Sequence, residues 1–129
     1  ANFSPKGDMV VIGSNDIVRG NRVIQVFSLT EKDEEGKPKV LVEYENKKWI
    51  HAANFSPEGD KVVVGSEDRM VRVLSLTEKD EKGKPKVLAE YEAEEWVRAA
   101  NFSPGGDMLV IGSGGKVLVI GEKNKKIFL

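Results

Sequence analysis

Short apolar runs alternate with turn residues along the whole chain. The clearest run is Val62-Val63-Val64, set between Asp60-Lys61 and Gly65-Ser66. Three consecutive β-branched residues with turn signals on both sides predict a strand buried on both faces. Val10-Val11-Ile12 and Leu109-Val110-Ile111 repeat the pattern. Around the middle run the alternation predicts four short strands, at 49–55, 61–65, 70–76 and 87–92. Turns at 56–60 and 66–69 separate the first three, and a charged connection at 78–86 leads to the fourth. No segment carries a helical period with caps, so no helix is predicted.

The turn before each central run is a repeat. Ala53-Asn54-Phe55-Ser56-Pro57-Glu58-Gly59-Asp60 has counterparts in Ala1-Asn2-Phe3-Ser4-Pro5-Lys6-Gly7-Asp8 and Ala100-Asn101-Phe102-Ser103-Pro104-Gly105-Gly106-Asp107, with starts 52 and 47 residues apart. Proline presets φ at the first corner, glycine supplies a positive φ, and aspartate can bond the turn through its side chain. Periods near this length mark repeat architectures. The chain is therefore expected to be all-β, a single segment of three four-stranded antiparallel units, at about 1–48, 49–95 and 96–129. Variation is confined to connections. The first unit is expected to carry an insertion at 17–21, and the third shrinks one turn to Gly114-Gly115 and its charged connection to 123–126. Segments 28–45 and 75–92 agree at 16 of 18 positions, exposed loop residues included. Folding alone does not demand such identity; recent duplication or deliberate design accounts for it.

Charge adds exclusions more than assignments. With 20 basic and 21 acidic side chains the net charge is −1, which gives no electrostatic reason to expect nucleic acid or an anionic membrane as partner. The absence of cysteine rules out disulfides, thiolate metal sites and a cysteine nucleophile. No apolar run approaches the roughly 18 residues of a spanning helix, and no signal-peptide pattern opens the sequence. The compartment stays open.

Few residues invite chemistry. Trp49 and Trp96 each open an inner strand, where packing between units is the plain reading and a stacking platform for a ligand the alternative. Phe3, Phe55 and Phe102 share one repeat position and are expected to pack similarly. His51 is the sole histidine, with Arg98 at the equivalent place of the next unit; no companions stand at the spacing a base or metal ligand needs. The acidic segments 31–36 and 78–83 lack the ligand alternation of a calcium loop. Gly112-Ser113-Gly114-Gly115 has neither a following helix nor the Lys-Ser/Thr of a phosphate loop. No catalytic residue, metal site or cofactor is expected, and no Ser/His/Asp set is present in the required form.

Four-stranded units carrying Phe55-Ser56-Pro57 and Gly59-Asp60, then Val62-Val63-Val64-Gly65-Ser66 and Asp68, then Val71-Arg72-Val73 and Ser75-Leu76 resemble the blades of a WD-repeat β-propeller. The resemblance covers essentially the whole chain. It implies a structural aspartate at Asp16 and Asp68, with Gly115 standing in that place in the third unit. The eponymous Trp-Asp is missing: Phe27-Ser28, Leu74-Ser75 and Ile120-Gly121 occupy its region, and no Gly-His precedes the first strand. The family's buried Asp–His–Ser–Trp network therefore cannot form as such. The resemblance implies a non-catalytic scaffold binding other proteins at its rims. Two alternatives stand beside it: an engineered or repeat-amplified propeller fragment whose role is self-assembly, and a ligand-binding or enzymatic propeller with its site in the central channel. Three blades fall short of the usual four to eight. The ends look cut at one junction, since a counterpart of Trp49-Ile50-His51-Ala52 is wanting before Ala1. Self-association into a homodimeric six-bladed ring, or further blades of the same polypeptide, is expected to complete the circle.

Overall fold

In the computed structural model, residues 1–15 and 22–121 are described together with the backbone of Lys126–Phe128. Asp16 and the expected insertion at 17–21 lie outside the described residues, as does most of the shortened connection at 123–126.

Each Phe-Ser-Pro-x-Gly-Asp turn closes in the same way, which is why the repeats fold locally. In the first, the Gly7 amide donates to the Ser4 carbonyl at 2.9 Å and the Ser4 amide to the Met9 carbonyl at 2.9 Å. The Ser4 hydroxyl donates to Asp8 Oδ1 and accepts from the Met9 amide, at 2.9 and 3.0 Å. Ser56 with Asp60 and Ser103 with Asp107 repeat the arrangement. The glycine at each corner has φ of +74°, +77° and +77°, a region closed to most side chains.

These turns join strands into three four-stranded antiparallel sheets, each in sequence order. The first sheet holds β1 (Asn2–Phe3), β2 (Met9–Asn15), β3 (Arg22–Lys32) and β4 (Pro38–Asn46). The second holds β5 (Ile50–Phe55), β6 (Lys61–Ser66), β7 (Met70–Lys79) and β8 (Pro85–Glu92). The third holds β9 (Val97–Phe102), β10 (Met108–Ser113), β11 (Lys116–Gly121) and β12 (Lys126–Phe128). The described residues contain no helix, and no strand pairing among them closes the sheets into a ring.

Two connections show how composition decides detail. Gly114 and Gly115 both take positive φ, +54° and +77°, making the two-residue turn that matches strand twist. The charged connections are tighter than the sequence implies, because β3 and β7 run on to Lys32 and Lys79. Asp33 Oδ1 accepts from the Glu35 and Lys37 amides, each at 2.9 Å, and Asp80 does the same for Lys82 and Lys84. A side chain that bonds the backbone two and four residues on converts a polar loop into a defined turn.

The core lies between sheets. Val62, Val64 and Leu74 of the second sheet pack with Val11, Ile24, Val26 and Val42 of the first. Val63, Val71 and Val73, on the other face, pack with Val97, Ala100, Ile111, Leu118 and Ile120 of the third. The middle run Val62–Val64 thus serves two neighbours at once, as the unbroken β-branched pattern requires. Each such valine contributes about 1.5–3 kcal/mol of burial.

Candidate functional site

The most regular geometry of the chain recurs at the junctions between sheets. Three contacts recur at both. The Asn2 side-chain amide donates to the Ala53 carbonyl at 2.8 Å, and Asn54 to the Ala100 carbonyl at 2.7 Å. Gly13 lies beneath Ile50, where a β-carbon would stand 2.8 Å from Ile50 Cγ2; Gly65 lies beneath Val97 with a corresponding 2.5 Å. Pro5 packs on Gly59 and Pro57 on Gly106, at 3.7 and 3.6 Å from the same notional atom.

The aromatic repeat positions divide according to what covers them. Phe55 packs at the first junction and Phe102 at the second. Phe3, expected to pack likewise, is 70% exposed. The difference has a simple cause: Phe55 and Phe102 pack towards the preceding sheet, and no described sheet precedes the one that holds Phe3. The opposite end shows the same effect. Val63 and Val71 are 0% and 1% exposed, whereas Val110 and Val117, at the same repeat positions in the third sheet, are 39% and 45% exposed.

Trp96, expected to pack between units, is 47% exposed but does meet the preceding sheet. Its ring stacks on His51 of the preceding sheet with centroids 6.3 Å apart and planes 17° from parallel. The Arg98 guanidinium lies 5.8 Å from the ring centre. His51 Nε2 is 3.1 Å from Glu67 Oε1. Trp49 is half-buried, and its carbonyl accepts from the Glu67 amide at 2.9 Å. Trp96→Ala is expected to cost about 1 kcal/mol or less, the size of an exposed cation–π contact; urea unfolding measures it. A loss of about 3 kcal/mol or more, the range for a buried aromatic, would return the ring to the core.

Asp68 anchors a polar network that the sequence alone did not reveal. It accepts from the Ser66 hydroxyl and from the Met70 amide, the latter at 3.0 Å. Arg72 Nη2 donates to Asp68 Oδ2 at 3.0 Å, while Arg72 Nη1 reaches Asn46 of the first sheet at 3.1 Å. The sequence signal was one arginine within the apolar run 70–74, where the other units carry Gln25 and Leu118. Partial burial pushes the Asp68 carboxyl up, but the bonds from Ser66, Met70 and Arg72 and the arginine charge outweigh it, leaving it below the ordinary 3.8. A carboxyl depressed in the folded state stabilises above its unfolded value and loses that contribution as pH falls through the folded one. Asp68→Asn is therefore expected to flatten the fall of stability below about pH 5, measured by urea midpoints across pH. A variant whose pH dependence matches the parent would show that Asp68 carries none of it.

The inner strands β5 and β9 border an open cleft of about 260 Å³, lined among others by His51, Asn54, Arg98 and Asn101. Among the described residues no three His, Cys, Asp or Glu side chains gather as metal ligands would, and no helix is long and apolar enough to cross a membrane.

Separate four-stranded antiparallel sheets, each in sequence order and packed face against face, are consistent with blades of the propeller class. Residues 38–75 match the WD domain, G-beta repeat family. The chain is thus WD-repeat-like across the match, which runs from β4 through most of β7. No curated protein matches the chain. Repeats of this family are generally non-catalytic scaffolds for protein interaction.

Proposed function

We propose that the chain is a non-catalytic propeller scaffold for protein–protein interaction whose ring is completed by self-association, two copies giving six blades. The observation that carries this reading is the contrast between equivalent valines: buried in the middle sheet, and 39% and 45% exposed in the third. Large exposed apolar patches are rare on soluble monomers and mark interaction sites. Two copies give six blades, within the usual four to eight, whereas three give nine. Further blades of the same polypeptide would satisfy the same faces. The single domain, with units at about 1–48, 49–95 and 96–129, is part of the same proposal.

The two other readings have different support. The 16 identities in 18 positions favour a repeat-amplified or designed assembly unit. The cleft beside His51 and Arg98 is where a channel ligand would sit. Light scattering on the 129-residue chain is the test, with the dimer mass expected. A monodisperse 14.2 kDa monomer that unfolds cooperatively would overturn the ring proposal.

A further inference from the structure

We propose that the open face of the third sheet docks on the open face of the first sheet of a second copy, in the register of the internal junctions. The Asn101 side-chain amide then donates to the Ala1 carbonyl of the second copy, and the Pro104 turn lies against its Gly7. This rests on the ring-completion reading and specifies its chemistry.

The two internal junctions supply the template. Asn2 bonds Ala53 and Asn54 bonds Ala100; the next asparagine of the series is Asn101, and the matching alanine is Ala1. Pro5 covers Gly59 and Pro57 covers Gly106; the next proline is Pro104, and the uncovered glycine is Gly7, which has nothing within 4 Å of its notional β-carbon. Asn101, Pro104 and Gly7 are all exposed. The apolar parts agree as well. Phe55 and Phe102 pack onto the preceding sheet, so Phe3 would pack onto the Val110 and Val117 face of the second copy. One element is not reproduced: the side chain covering Gly112 would stand three positions before Ala1.

The contact is head to tail, with different surfaces on the two partners. Such contacts close into rings or run on as filaments, whereas like-to-like dimers use one surface twice. In a ring of two copies both unlike junctions form, and no open face remains. This asymmetry gives a test that mass alone does not.

Val117→Lys and Phe3→Asp are each made in the 129-residue chain. Both side chains are exposed within one copy, so circular dichroism is expected to stay native. Sedimentation across a dilution series is expected to show each variant's dimer weakened by about tenfold or more. An equal mixture should recover the dimer, because one of its two junctions is then native and the other sets lysine against aspartate. Asn101→Asp should weaken the dimer by about tenfold through repulsion from the Ala1 carbonyl. Should either charge variant unfold, Val117→Thr and Phe3→Ser are expected to weaken association in its place. Dimers that survive either charge change overturn the head-to-tail contact while leaving self-association standing. Loss in both without recovery on mixing does the same. A dimer indifferent to Asn101→Asp overturns the register. A wild-type chain that stays monomeric throughout overturns the ring reading itself.

Discussion

Gly65→Ala is expected to destabilise the protein by about 2–3 kcal/mol, towards the top of the usual cost of overpacking. The added β-carbon would stand 2.5 Å from Val97 Cγ1 and 3.3 Å from Val97 Cβ. Valine is stiff at χ1 and cannot swing its branch aside, and Val97 is itself fully buried. Relief must come from separating β6 from β9, which loosens the second junction. The matching change at Gly112, where the nearest atom is Ala99 Cβ at 3.5 Å, is expected to have little effect. Val97→Ala alone leaves a cavity and costs stability too. Combined with Gly65→Ala it opens the space the new methyl needs, so the double variant should lose less than the sum. Such non-additivity is the signature of two residues in contact. Urea unfolding of the four chains, at one protein concentration because association shifts apparent stability, measures the cycle. Strict additivity would show that the two residues do not meet.

Leu74→Ala is expected to cost about 2–5 kcal/mol, the range for truncating a buried leucine. Leu74 is fully buried at the first junction among Val11, Val26 and Val62, and neighbours fixed in β-strands collapse poorly around a void. Against a total stability of about 5–15 kcal/mol, one such loss is a large fraction. The same repeat position in the first sheet holds Phe27, only half-buried, and Phe27→Ala should cost less. Thermal or urea unfolding separates the two. Equal losses would mean that the first sheet is covered as fully as the second.

Most of the architecture was legible because strand and turn signals are local. Val62-Val63-Val64 carries its own evidence of two-sided burial, and Phe-Ser-Pro-x-Gly-Asp specifies a turn through bonds within six residues. The charged connections were half-legible: polar composition spoke for exposure, while among several acidic residues in each it did not single out Asp33 and Asp80 as the ones that bond the backbone amides. What lay beyond reach was anything depending on a neighbour. Phe3, Phe55 and Phe102 occupy the same repeat position, as do Val63 and Val110, and only the presence or absence of an adjoining sheet separates buried from exposed. The exposure of Trp96 depends on a neighbour too. An aromatic at the start of an inner strand reads as packing between units, and here it lies half-exposed on His51 of the preceding sheet. The Asp68–Arg72–Asn46 chain crosses two sheets, so no window along the sequence contains it.

The boundaries of the family match have a consequence for how such a chain can change in length. Residues 38–75 begin with the last strand of one sheet and end in the third strand of the next. A gene segment one 47-residue repeat long, starting at that last strand, would encode no free-standing sheet. It would deliver its opening strand to the sheet already present and borrow its closing strand from whatever follows. Every duplication would therefore arrive stitched to its upstream neighbour. Every deletion of the same length would rejoin the two flanks through an identical seam. Changes in blade number become possible without any new joint having to be invented, and recombination within the near-identical 28–45 and 75–92 stretches would preserve register by construction.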